Sequence, residues 1–452
     1  MRRTTLLFLL AFMVFLPLTA QPSDNPQTVT RLGLAFSLSE GRVDIDRFAR
    51  YTQDVAADNG HFYADKAPGQ SILLVPVIWL AKPLLGTNYE RQYPFQVYNF
   101  LGAVVVNGTL SAFAFVALIG AAGRMGASPT AALFGGIATS FGTPLLGWTT
   151  ELFAHSMTAS LLALGFALIV SAFAQGAQAV MAQPLRYGIG LGLAFGYCIT
   201  SDLAAAPVVA LGALLSTALV WRLARPVTVP FLASATVAGL AGLAPLLIYN
   251  AIAFGSPFAL GYARVVGFEG MQQGFFGIGL PKPEVMAELL VGSYRGLLPI
   301  APVLLLVPFG LFAMRHRPET RLASAVIIAV FAYYLLLNAG YYYWDGGASF
   351  GPRHMTPALP FLGLALSFAW PKRPWLRVPV LALLAVSVGI AVISAATTMS
   401  PFDGIDSPFI ELILPEFMSR SLFFGAAIAA MVGLSGLGLI WLTSARTQRS
   451  TA

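Results

Sequence analysis

The stretch from 377 to 397 reads RVPVLALLAVSVGIAVISAAT and is apolar throughout, apart from the arginine at its start. Its length matches the roughly 20 residues that a helix needs to cross the hydrocarbon core of a membrane. The apolar positions are continuous and do not alternate with a period of two, which indicates a helix and not a strand of a barrel. Similar runs recur along the chain, of which 57% is hydrophobic and only 10% is charged. Because soluble domains carry about 25% charged residues, this composition predicts a polytopic membrane protein.

The apolar runs predict an all-α bundle of about twelve membrane-spanning helices. The predicted spans are 5–20, 98–122, 129–148, 153–175, 187–201, 203–221, 228–250, 296–314, 322–343, 355–370, 377–397 and 421–443. Neither a long linker nor a separate polar block divides them. We therefore expect residues 1–452 to form a single transmembrane domain.

The charges predict an orientation for this bundle. Threading the chain alternately through the spans places the short arginine-rich loops on one side, which the positive-inside rule assigns to the cytoplasm. Of the 19 acidic residues, only Glu319 falls on that side. The segments predicted to face outwards are 21–96, 251–295, 344–354 and 398–420. The net charge of +7 thus reflects topology, and it does not indicate nucleic-acid binding.

Two apolar segments are special cases. The first helix, 5–20, follows a basic start and ends in small residues, so it is either a retained span, which we favour, or a cleaved secretory signal. The run SILLVPVIWLAKPLL begins at residue 71. We predict that 71–86 is a juxtamembrane helix on the outer side, because counting it as a crossing would move basic loops outside.

Polar residues in the predicted outer segments suggest a site for a phosphate-bearing lipid. In GHFYADKAPG, residues 60–69, an acidic residue and a lysine precede an Ala-Pro-Gly turn, where they could meet a lipid headgroup. The run NAGYYYWDGGASFGPRHMTPALP, residues 338–360, contains an arginine whose planar guanidinium can bind a phosphate through two hydrogen bonds. The residues predicted to bind the phosphate are Lys66, Arg295, Arg353 and His354.

Other ionisable residues lie at predicted outer helix ends. Glu151 and His155 are four residues apart, so we expect them on one helix face. Together with Asp345 they could bind the acceptor or a divalent metal ion, which is the one cofactor that these residues suggest. A hydrogen bond at a helix interface explains the pair of Glu151 and His155 equally well. Asp202 interrupts an apolar run, which indicates either a functional group or a helix boundary.

Three stretches carry a resemblance to a known superfamily: NGHFYADKAPG (59–69), YNAIAFGSPFALGY (249–262) and YYYWDGGASFGPRHMTPALPF (341–361). Together with the long outer segment after the first span, they resemble the GT-C superfamily of membrane glycosyltransferases. The bacterial branch with aminoarabinose transferases and protein O-mannosyltransferase-like enzymes is the most similar, and its acidic-Lys-Pro-Pro turn here reads Asp65-Lys66-Ala67-Pro68. The resemblance covers nearly the whole chain. It implies a GT-C-like bundle whose periplasmic first loop carries juxtamembrane helices.

The resemblance implies transfer of a sugar, with inversion, from a polyprenyl-phosphate donor to a lipid, glycan or protein acceptor. The site would face the periplasm or exterior from the bacterial inner membrane, with membrane lipids and no nucleic acid as further partners. A carboxylate would act as general base while cations stabilise the departing phosphate. Asp24 matches the family's base by position, although the usual acidic pair here reads Asp24-Asn25. Asp54 and Asp65 are the further candidates, and Asp58 joins Asp54 if the first helix is cleaved.

Two other functional classes remain open. A flippase or transporter for a lipid-linked sugar predicts two similar halves with polar residues near the bilayer midplane, whereas the charges here gather at one face. A membrane subunit without catalysis predicts no need for Asp65, Lys66 or Arg353. The sequence alone does not identify the sugar or the acceptor.

Overall fold

The computed structural model describes residues 3–19, 25–86, 92–174, 176–420 and 433. In chain order its α-helices are α1 Arg3–Leu18, α2 Pro26–Ser39, α3 Gly69–Leu85, α4 Gln92–Gly102, α5 Thr109–Arg124, α6 Pro129–Phe141, α7 Leu145–Thr150, α8 Ala154–Phe173, α9 Gln178–Ala182, α10 Pro184–Ser201, α11 Ala206–Leu223, α12 Thr228–Phe254, α13 Pro283–Val291, α14 Leu297–Ile300, α15 Val307–Arg315, α16 Pro318–Gly340, α17 Leu359–Ala369, α18 Arg377–Thr397 and α19 Leu414–Ser419. The two strands are β1 Val55–Asp58 and β2 His61–Ala64.

Six helical segments of the described chain are long and apolar enough to cross a membrane. They are Phe95–Arg124, Ala154–Phe173, Leu203–Leu223, Arg225–Phe254, Pro318–Gly340 and Pro374–Thr397. All six coincide with predicted spans, and the predicted span 421–443 lies outside the described residues except for residue 433. The chain is therefore a multi-pass membrane protein built on helices.

Two predicted spans are not continuous helices. The span 129–148 divides into α6 and α7 at Pro144, and the span 296–314 divides at Pro302 into α14, a 3-10 segment and α15. A proline inside a helix removes one backbone hydrogen bond and clashes with the preceding turn. These interruptions shorten the helices and create irregular backbone, including the segment after α7 that enters the candidate site.

The predicted outer segment 21–96 contains regular structure that the all-α prediction missed. Strand β1 pairs antiparallel with β2, and Val55 lies opposite Ala64. The turn residues Asn59 and Gly60 both have positive φ, 49° and 82°, as a two-residue hairpin turn of type I′ requires. Asn-Gly is a common hairpin turn, so the sequence itself contained the signal for this pair of strands.

Helices α10 and α12 pack backbone against backbone through small residues. A Cβ on Gly192 would lie 2.2 Å from the carbonyl oxygen of Ala235, and one on Gly196 would lie 2.1 Å from that of Gly239. Small residues permit such close approach of helices inside membranes. At the C-terminal end of α10, the hydroxyl of Thr200 donates to the carbonyl of Gly242 in α12 at 2.8 Å. The chain beyond the C-terminal end of each helix contributes to the candidate site.

Candidate active site

The turn after β2 forms the centre of a buried charged cluster. The ammonium nitrogen of Lys66 lies 2.5 Å from the Asp65 carboxylate and 3.5 Å from that of Asp54. Both aspartates are buried. Burial alone would lower the pKa of Lys66, but the two carboxylates outweigh it, so its pKa is raised and the lysine stays charged.

Two hydrogen bonds and one close approach at a glycine place this turn against helices α10 and α12. The hydroxyl of Tyr249 in α12 donates to the carbonyl of Ala64, 3.1 Å away, and the hydroxyl of Tyr197 in α10 donates to that of Gly69, 2.7 Å away. A Cβ on Gly69 would lie 2.6 Å from the hydroxyl oxygen of Ser201. Glycine at this position therefore allows the start of α3, and with it Lys66, to approach the end of α10.

Arg31 is a member of the cluster that the sequence analysis did not single out. It lies in α2 with 4% of its surface exposed, and its Nε and Nη1 atoms have no hydrogen-bond partner. The charges of Asp65, Asp202 and Asp54 act on it, while burial lowers its pKa. The sequence pattern that indicates Arg31 is a single arginine inside the apolar run TVTRLGLAFSL, residues 28–38. Buried arginines without a partner are rare, so such a residue suggests a functional role.

The run 338–360 supplies a second cation. Arg353 is buried, its Nε has no partner, and its guanidinium lies 5.5 Å from the centre of the Phe153 ring. The charge of Asp54 acts on Arg353, which links it to the Lys66 turn. Next to it, burial and the Arg353 charge hold the pKa of His354 well below its ordinary value, so His354 is neutral.

We name the set Arg31, Asp54, Asp65, Lys66, His155, Asp202, Tyr262, Arg353 and His354 the Lys66 cluster.

Tyr262 completes the cluster from a 3-10 turn, Gly261–Arg264, that follows α12. The charges of Lys66, Asp202 and Asp65 act on its hydroxyl, and burial raises its pKa to about 12. The hydroxyl therefore keeps its proton near neutral pH and can donate a hydrogen bond to an anion.

The expectation that Glu151 and His155 share a helix face was wrong. Glu151 has extended backbone at the end of α7, with φ −108° and ψ 154°, and His155 begins the next helix, α8. Their spacing of four residues therefore spans a break and not one helical turn. His155 instead lies beside Asp202, with 3.8 Å between its Nδ1 and a carboxylate oxygen.

Asn107 stabilises this break. Its side-chain amide donates to the carbonyls of Glu151 and Phe153 at 2.6 and 3.1 Å, and it accepts from Gln70 at 2.8 Å. Asn107 lies in a π-helical turn, Ala103–Gly108, between α4 and α5, and such turns are frequent at functional sites. The break is thus tied to α3, which starts directly after the Lys66 turn.

The predicted site residues Arg295 and Asp345 form a different structure. The Arg295 side chain donates to the backbone carbonyls of Asp345 and Gly347 at 2.8 and 2.6 Å, while the Asp345 carboxylate accepts from the Gly347 amide. Arg295 thus holds the start of the loop 344–354 in place. These bonds occupy donors that phosphate binding would need.

Of the proposed bases, Asp24 lies outside the described residues. Asp58 pairs with Arg264 at 3.2 Å. Within the described part of the chain, no group of three or more His, Cys, Asp or Glu side chains is arranged to hold a metal ion. Glu151, His155 and Asp345 therefore do not form the metal site that the sequence suggested.

No family model matches the chain, and no curated protein sequence matches it either. Among solved structures, it is similar to ArnT from Cupriavidus metallidurans bound to undecaprenyl phosphate, with a TM-score of 0.56 and 17% identity over 97% of this chain and 75% of that one. The apo form of the same protein gives a TM-score of 0.53 and 16% identity, with the same coverage of both chains. ArnT, an aminoarabinose transferase, is a GT-C glycosyltransferase. The protein described here therefore has a GT-C-like fold.

Proposed function

We propose that the protein is a membrane glycosyltransferase that moves a sugar, with inversion, from a polyprenyl-phosphate donor to a lipid, glycan or protein acceptor. The observation that carries this proposal is the convergence of three cations, Arg31, Lys66 and Arg353, two of which keep buried N–H groups without a partner. Buried donors without partners are costly, so a site that retains them is suited to binding an anion.

A phosphate ester fits these donors better than a carboxylate of the protein does. When the bond between the sugar carbon and the phosphate oxygen breaks, negative charge accumulates on the phosphate. Fixed N–H donors in a site shielded from water stabilise that charge without reorganising. The nearby carboxylates of Asp54 and Asp65 offset part of the positive charge that Arg31, Lys66 and Arg353 carry.

The fold supports a lipid-linked donor. ArnT shares this fold and has been crystallised with undecaprenyl phosphate, so we assign the same class of lipid to the Lys66 cluster. Residues from three predicted outer segments, 21–96, 251–295 and 344–354, contribute to the cluster. Together with the basic loops predicted on the opposite side, this supports a site at the outer face of the bacterial inner membrane.

Binding of undecaprenyl phosphate to the purified protein tests the proposal. Lys66→Ala and Arg353→Ala should each weaken binding by about 10- to 150-fold, because charge-assisted hydrogen bonds contribute about 1.5–3 kcal/mol. Arg42→Ala is the matched control, since Arg42 pairs with Asp44 at the surface and its side chain is 53% exposed. Undiminished binding by both cluster variants would remove the phosphate from this site.

Transfer itself is tested with undecaprenyl-phosphate-linked sugars and an envelope-lipid extract. A glycosyltransferase should release undecaprenyl phosphate in step with the appearance of a glycosylated product. Movement of intact donor across a vesicle membrane, without release of the sugar, would favour a flippase.

A further inference from the structure

His155 and Asp202 belong to the Lys66 cluster, but neither is one of the three cations assigned to the phosphate. We propose that His155, oriented by Asp202, is the base that takes the proton from the acceptor hydroxyl. This inference rests on the proposed glycosyl transfer. Among the described residues it puts His155 in place of Asp54 and Asp65, while Asp24 lies outside them.

The carboxylates of the cluster are poorly placed for this task. Asp54 and Asp65 both contact the ammonium of Lys66, at 3.5 and 2.5 Å. Protonating either one would remove a counter-charge from Lys66, whose side chain is only 19% exposed. Their contacts make them partners of Lys66, and they leave the proton acceptor to another group.

His155 has the features of a general base. It begins α8, and both of its ring nitrogens are buried without a hydrogen bond to the protein. Its ring lies 5.2 Å from that of His354, which places it at the edge of the proposed phosphate site. A histidine that can accept a proton near neutral pH is the side chain most often used in acid–base catalysis.

Asp202 is fixed as the orienting group. One of its carboxylate oxygens accepts from the amide of Ala204 at 3.0 Å and caps the turn Leu203–Ala205. The other oxygen lies 3.8 Å from His155 Nδ1, and such contacts are often long without substrate and shorten in the reacting complex. A proton on Nδ1 directed at Asp202 leaves the lone pair of Nε2 for the acceptor.

Charged and titratable groups face the pair from several elements. The charges of Arg353 and Arg31 act on His155, and the ring of His354 lies 5.2 Å from that of His155. The charge of Asp202 in turn acts on Cys198, Tyr262, Tyr333 and Tyr334. Asp202 offsets the positive charge of His155 once the proton has arrived.

The step balances as a single displacement. The acceptor oxygen forms a bond to the anomeric carbon of the sugar while its proton moves to Nε2 of His155. The bond between that carbon and the phosphate oxygen breaks, and its electron pair stays on the phosphate, where Arg31, Lys66 and Arg353 stabilise it. Solvent then takes the proton from His155.

The tautomer of His155 provides a test that needs no substrate. The chain has only 4 histidines, so ¹⁵N-imidazole NMR of the full-length protein can resolve each, with His155→Gln to assign the signal. We expect wild-type His155 to carry its proton on Nδ1, and Asp202→Asn to reduce that preference. A proton on Nε2 in the wild-type protein would overturn the assignment whether or not the protein transfers sugars.

Turnover separates this inference from the proposed function. With undecaprenyl-phosphate-linked sugars and the envelope-lipid extract, His155→Gln should lower kcat by 10²- to 10⁴-fold and leave undecaprenyl phosphate binding within about threefold of wild type. Asp202→Asn should move the acid limb of the pH profile of kcat/KM to lower pH, because the remaining charges oppose protonation. His316→Gln, on the exposed histidine after α15, is the control with unchanged kcat. Wild-type transfer combined with a near-normal kcat for His155→Gln would refute the role of His155 alone.

Discussion

Replacing Gly192 by alanine tests the close packing that positions the ends of α10 and α12. The added Cβ would lie 2.2 Å from the carbonyl oxygen of Ala235 and 2.8 Å from the amide nitrogen of Gly239. Both atoms are backbone, so no side-chain rotation relieves the clash and the helices must separate by about 1 Å. Overpacking of this kind costs about 1–3 kcal/mol, against a gain of about 1 kcal/mol from the better helix propensity of alanine.

The same interface contains its own control. A Cβ on Gly239 would meet its nearest atom, the carbonyl oxygen of Gly192, at 3.7 Å, an ordinary contact. Gly239→Ala should therefore keep the propensity gain without the clash. We expect Gly192→Ala to be less stable than Gly239→Ala by about 1–3 kcal/mol.

Thermal unfolding of the two variants in one detergent measures this difference. Gly192→Ala should unfold below the wild type and Gly239→Ala at or above it. Because Asp202 follows the end of α10, separation of the helices should also reduce kcat more in the first variant. If Gly192→Ala unfolded at the same temperature as Gly239→Ala, the inference of backbone contact between these helices would be refuted.

Three further predictions concern other parts of the molecule. Asn107→Ala should cost about 1–3 kcal/mol of unfolding free energy, because the carbonyls of Glu151 and Phe153 each lose the donor that Asn107 supplies and Gln70 loses its acceptor; Asn107→Asp, which also lacks those donors, should not restore full stability, and full recovery would contradict this role. The pKa of His61 is raised by its hydrogen bond to Asp46, so the pair stabilises the fold at low pH and this contribution disappears as the pH rises through the folded pKa; Asp46→Asn should return the pKa measured by NMR toward its ordinary value, and an unchanged pKa would show that another group raises it. Single cysteines at positions 90 and 317 test the topology by labelling from outside, where the first should react and the second should not; the reverse result would invert the map.

The sequence located the Lys66 turn and Arg353, because charged residues beside Pro and Gly in a very apolar chain are conspicuous. It missed Arg31, which lies in a helix within the predicted outer segment 21–96. It also misplaced Glu151 and His155, since a spacing of four residues implies one helix face only where the helix is continuous. The donor that maintains the break, Asn107, is 44 residues away along the chain from Glu151, and no local pattern indicates such a contact.

By itself, the sequence determined the class of protein and the approximate positions of its helices, and it predicts the face on which its charges gather. These properties follow from local composition, since each apolar run of sufficient length is driven into lipid whatever its neighbours do. Tertiary structure alone decided which charges meet. Lys66 pairs with Asp54, His155 lies beside Asp202, and Arg31 lies within reach of both groups because helices packed through small residues bring distant segments together. Burial then makes these contacts matter, since a charge removed from water must find its partners among whichever side chains the packing supplies.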